Sequence, residues 1–106
     1  MVDWLEALRE QGEIAQRLAT SVPKVLGDPK LTLEQASKLY GMVERGAQDF
    51  DRFAELMDEH DLDDSFYEAA ESLQELWSQL SVASANKVRT MQGLEPIPFP
   101  DDEYED

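Results

Sequence analysis

An all-α fold, an antiparallel three-helix bundle with a long helix 2–helix 3 hairpin, is predicted by three features of the 106-residue sequence. Three segments repeat apolar residues at spacings of three and four, and each opens on a residue type that caps helices. No stretch alternates apolar and polar residues as a half-buried strand would. Apolar residues make up 42% of the chain, enough for one core, and the length suits one domain.

The first helix is expected over about 3–20. Asp3 stands where an N-cap belongs, with Glu6 three residues on, and Trp4, Leu8, Ala15 and Leu18 form the apolar stripe. Leu5 and Ile14 widen the stripe, and Glu13 and Arg17 make an i,i+4 pair in the favourable order. Ser21 to Leu31 contains Pro23, Gly27 and Pro29 and reads as a connector.

The second helix, about 32–59, carries the clearest pattern. Thr32 and Gln35 match a capping box, in which each side chain accepts a hydrogen bond from the other residue's backbone N–H. Leu33, Ala36, Tyr40, Val43, Ala47, Phe50, Ala54 and Met57 then alternate at three and four, while Glu44, Asp51, Glu55 and Asp58 fall on the other flank. Gly41 and Gly46 interrupt this helix, each costing about 1 kcal/mol relative to Ala. Either a neighbouring helix or a partner backbone approaches closely there.

A turn around His60–Asp64 leads to the third helix, about 65–92. Ser65 and Glu68 match a second capping box, and Phe66, Ala70, Leu73, Trp77 and Leu80 carry the stripe. The small residues Ser81 to Asn86 fit close helix contact or fraying. Gly93 reads as the stop. The bundle is thus expected over 1–93. Residues 94–106 form an extended acidic C-terminal tail, kept out of helix by Pro96, Pro98 and Pro100.

Twenty-four acidic and nine basic residues give a net charge of −15. Such a surface repels nucleic-acid phosphates and anionic membranes and attracts basic protein surfaces; it also serves solubility and adaptation to salt. The expected partner is therefore a protein with a basic surface, with no direct nucleic acid and no membrane, and with self-association as a further option. No cysteine is present, which removes disulfides, thiolate metal sites and cysteine nucleophiles. No basic-then-apolar leader opens the chain and no apolar run approaches the roughly 20 residues of a membrane span, so the expected location is cytoplasmic.

Enzyme chemistry finds no support in the sequence, because catalysis needs nucleophile, base and oxyanion donors together. The single histidine, His60, lies between acids in a turn, and no acid interrupts an apolar stripe. No cofactor is expected. A calcium loop beginning at Asp61 would put Phe66 at the glycine position and Ser72 at the terminal glutamate position, so that motif fails. A di-iron Glu-x-x-His pair fails at Met57.

What remains is a contact surface. A first helix of 18 residues would be outreached by the hairpin by roughly 12–15 Å. Folded back along helix 2, it would place Trp4 near Phe50 and leave Phe53, Leu56, Met57, Phe66, Tyr67 and Ala70 uncovered. The alternatives are that helices 2 and 3 bury these residues between them or that the tail covers them. Eleven acids lie between Glu44 and Glu71, with only Arg45 and Arg52 among them.

The partner-binding residues expected on this basis are Glu44, Asp51, Phe53, Glu55, Met57, Asp58, Asp61, Asp63, Asp64, Phe66 and Glu68, with Phe99 and Tyr104 from the tail. Helical carboxylates about 5–11 Å apart match the spacing of nucleic-acid phosphates, which suggests an inhibitor or modulator acting on a basic, nucleic-acid-binding surface. In general character the chain resembles small virus-encoded inhibitors of restriction or CRISPR systems, a likeness of composition and size and of no motif. The alternative is an oligomeric assembly, scaffold or adaptor protein that uses apolar helix packing and a docking tail.

Overall fold

The computed structural model describes residues 3–98. About four-fifths of these are helical, in α1 (Trp4–Leu26), α2 (Leu33–Asp58) and α3 (Asp64–Met91), and the described residues contain no strand. None of the three helices is long and apolar enough to cross a membrane.

Trp4 at the start of α1 meets Phe53 and His60 at the end of α2, so these two helices run antiparallel. Gly12 lies opposite Leu73, and Gly46 opposite Trp77, which sets α3 parallel to α1 and antiparallel to α2. The α2–α3 interface is the most extensive, α1 packs chiefly on α3, and α1 and α2 touch least. One end of the bundle, the tip, therefore gathers the start of α1, the α2–α3 turn and the start of α3.

The caps explain the helix starts. The Asp3 carboxylate accepts the Glu6 N–H, and the Thr32–Gln35 capping box is formed in both directions. The second expected box does not form. Asp63 is the N-cap of α3 without a side-chain bond, and Ser65 already lies inside the helix. The Phe66 N–H bonds the Asp63 carbonyl at 3.0 Å, closing the first turn before Ser65 can cap it.

Helix α1 differs most from expectation. It runs to Leu26, six residues past Thr20, and includes Pro23. The apolar stripe continues through Val22, 1% exposed, to Leu26, which packs against the core. Pro23 costs the helix one hydrogen bond, about 3 kcal/mol in an interior, which the burial of Val22 and Leu26 helps to offset. The Glu13–Arg17 spacing yields no ion pair; among the described residues the pairs that form are Glu34–Lys38 and Asp49–Arg52, both well exposed. Neither contributes much to stability.

The core runs through Leu8, Ala15, Val22, Val43, Phe50, Met57, Ala70, Trp77 and Leu80. Ser84 is buried beside it and donates its hydroxyl hydrogen to the Leu80 carbonyl at 2.8 Å, so the small-residue stretch is a helix contact and not a frayed end. At the end of α3, Gly93 takes φ +82° and Leu94 N–H bonds the Arg89 carbonyl, the geometry of a glycine-terminated helix.

Residues 94–98 then turn back along α3. The Asn86 side-chain amide donates to the Ile97 carbonyl at 2.8 Å and accepts the Ile97 N–H, and Arg89 Nε–H donates to the Glu95 carbonyl.

Candidate functional site

The expected apolar tip patch is largely core. Met57 has no exposed surface, Ala70 is buried, and Phe53, Phe66 and Tyr67 are half-buried against the central cluster. At Phe53 the cover comes from α1, which is longer than expected. With 23 residues against 26 and 28, α1 spans roughly 34 Å and removes about half of the deficit that would have uncovered the hairpin. Trp4 consequently packs on Phe53 in a tilted arrangement, with centroids 5.7 Å apart, rather than lying beside Phe50. Of the apolar residues expected to be open at this end, only Leu56 is well exposed. Phe99 and Tyr104 lie outside the described residues.

The acidic half of the expected site has a different geometry. Asp58, Asp64, Glu68 and Glu71 line a groove of about 400 Å³ between α2 and α3, together with Ala54, Met57, Tyr67, Ala70 and Gln74. Alanine and the tyrosine ring thus border an acid-rimmed trough, with Met57 buried behind them. A second groove of about 320 Å³ shares Gln74 and continues away from the tip past Asp51, Trp77 and Val82. Asp61 and Asp63 sit exposed in the connecting turn, and Glu55 is exposed on α2.

Glu44 is not part of this cluster. Fourteen residues of helix separate it from Asp58, roughly 21 Å. Its carboxylate accepts the Tyr40 hydroxyl at 2.8 Å. That bond is the chief reason the Tyr40 phenol is raised above its ordinary value, followed by partial burial and repulsion from the same carboxylate.

Tyr67 organises the turn. Its hydroxyl donates to the His60 carbonyl at 2.6 Å, lies 3.2 Å from the Met57 carbonyl, and accepts the Leu62 N–H at 3.3 Å. One phenol thus ties three backbone groups of the α2–α3 connection. The sequence placed Tyr67 only among the uncovered apolar residues of the tip, because contacts to backbone leave no trace in residue spacing.

Charge is divided along the long axis. The tip half, residues 3–14 and 48–75, holds fifteen carboxylates and two basic residues, a net of −13. The opposite half, residues 15–47 and 76–98, holds four carboxylates and seven basic residues, a net of +3. No three acidic or histidine side chains among the described residues stand close enough to hold a metal ion.

A third groove, of about 370 Å³, was not anticipated. It separates α1 from α2 and is lined by Ile14, Arg17, Leu18, Met42, Arg45, Gly46, Asp49 and Trp77. Its signal was present as Ile14 and Met42 on stripe flanks, each with an arginine three residues away. Comparison of the chain with protein-family models, with curated proteins and with solved structures gives no match.

Proposed function

We propose that the protein is a non-enzymatic binding module that presents its carboxylate-rich α2–α3 hairpin to a basic surface of a partner protein, as an inhibitor or modulator. The observation that carries this reading is the division of charge, −13 in the tip half against +3 in the other. Charge spread for solubility alone has no need of such a division. Concentrated charge steers encounter with an oppositely charged surface and raises association rates at low salt.

The groove bordered by Asp58, Asp64, Glu68 and Glu71 suits the side chains of lysine and arginine. Their aliphatic stems lie along Ala54 and the Tyr67 ring while the cationic head meets carboxylates. The contact is mainly polar, because the large apolar side chains of this end are committed to the core. A cytoplasmic setting belongs to the same proposal.

The test is a parallel capture experiment with the wild-type chain and an Asp58→Lys, Asp64→Lys, Glu68→Lys variant, each immobilised away from the tip. Proteins retained by the wild type and lost by the variant, with binding that weakens steeply as salt rises, support the reading. Equal retention by both forms would overturn it.

A further inference from the structure

We infer that the groove between α1 and α2 is a second docking surface, and that its occupant is the 99–106 segment of another copy of this chain. The groove is apolar inside and basic at its edges. Ile14 and Met42 are 43% and 45% exposed, large fractions for such side chains, and they face Leu18 with Trp77 beneath. Arg17 and Arg45 stand on opposite helices at the two rims, and neither forms an ion pair with a described residue. Asp49, the one carboxylate of the lining, is paired with Arg52.

Trp77 shapes the floor of the groove. Its ring fills the space beside Gly46, so α2 stays close to α3 while α1 stands off. The surface lies at the edge of the half that carries excess positive charge.

The segment Phe99-Pro100-Asp101-Asp102-Glu103-Tyr104-Glu105-Asp106 has the complementary chemistry, two aromatic rings and five carboxylates. An aromatic ring enters the apolar floor and neighbouring carboxylates reach the two guanidinium groups, the pairing that arginine favours.

The segment leaves α3 on the side away from its own groove. Ile97 is held against Asn86, nine residues beyond Trp77 and so half a turn away on the opposite face of α3. Seven residues from Ile97 to Tyr104 span at most about 25 Å. From there the route to the groove runs around the bundle and not through it, because Trp77 and the core fill the space between. Docking therefore takes place between copies.

The experiment is a titration of the isotopically labelled full chain with a synthetic peptide of residues 97–106, followed by NMR. Saturable shifts are expected at Ile14, Leu18, Met42, Gly46 and the Trp77 indole N–H, which has no acceptor among the described residues. Arg17→Glu with Arg45→Glu changes two exposed side chains, and circular dichroism checks that helicity is kept. This variant should weaken the peptide by about tenfold or more. A peptide with Phe99→Ser and Tyr104→Ser keeps the charge and should lose the saturable shifts. The proposal is overturned by absence of shifts, by shifts confined to α3 around Val82, by equal binding of the serine peptide, or by insensitivity to the arginine reversal.

Discussion

The indole ring of Trp77 occupies the place where a side chain on Gly46 would begin. A Cβ built on Gly46 would lie 2.5 Å from one ring carbon of Trp77 and 2.8 Å from another. The neighbour is the rigid end of a residue that is 2% exposed, so it has little room to withdraw. This decides between the two meanings of a glycine inside α2. Gly46 admits a neighbouring helix, whereas Gly41 has nothing within 4 Å of the same position.

Gly46→Ala should therefore destabilise the bundle by about 1–3 kcal/mol despite alanine's better helix propensity, while Gly41→Ala should be neutral or stabilising. The check is urea denaturation of both variants. Combining Gly46→Ala with Trp77→Phe should show a coupling, because the smaller ring vacates the contested space. Equal stability of the two alanine variants would remove the packing role of Gly46.

Much of this fold was legible because α2 obeys one rule at every level. Its capping box, its period and its acidic flank agree, and it forms within a residue of the expected bounds. The end of α1 was hidden by a conflict between rules. Pro23 argues locally for a break, while Val22 and Leu26 continue the stripe, and the tertiary contact wins. The misjudged length then propagated to the tip, where Phe53 and Met57 were expected to be open. The tip acids were legible as a charge run. Their division from the basic half also depends on the register of α1 against α2, which the misjudged length displaced.

Met57 and Leu56 make a matched pair for testing the corrected tip. Met57 is fully buried, and Met57→Ala should cost about 2–5 kcal/mol. Leu56, beside it in sequence, is 51% exposed, and Leu56→Ala should change stability by about 0.5 kcal/mol or less. Thermal or chemical denaturation distinguishes the two. Similar costs at both positions would return Met57 to the list of surface residues.

Tyr40 supplies a pH-dependent prediction. Its phenol titrates above the ordinary value of 10.0, chiefly because the neutral hydroxyl donates to Glu44. A group whose folded value is raised stabilises fully below its unfolded value and loses that contribution as pH climbs through the folded one. Tyr40→Phe should thus reduce stability by about 0.5–1.5 kcal/mol at neutral pH. The deficit should shrink as the pH passes 10 and continues upward. Denaturation midpoints for both chains from pH 7 to 11 provide the measurement, and a deficit that grows with pH would refute the assignment.

Removing the Tyr67 hydroxyl should loosen the turn that carries the central acids of the tip. Its oxygen serves the His60 and Met57 carbonyls and the Leu62 N–H, all within the ten residues preceding it. Tyr67→Phe keeps the ring, which packs against the core, and deletes only these bonds. The Leu62 amide then loses its side-chain partner, and the expected loss is about 1–3 kcal/mol. Hydrogen exchange separates a local effect from a global one. Exchange at Leu62 should quicken more than exchange at Val43 or Phe50, whose amides lie within α2. The same variant bears on function, because Asp61 and Asp63 are displayed by this turn. If the tip acts through steering, binding to a basic partner should change little in association rate, since long-range attraction depends on net charge more than on fine placement. The dissociation rate should rise, because loosened carboxylates pair less well once docked. A fall confined to the association rate would mean that the turn does more than display charge.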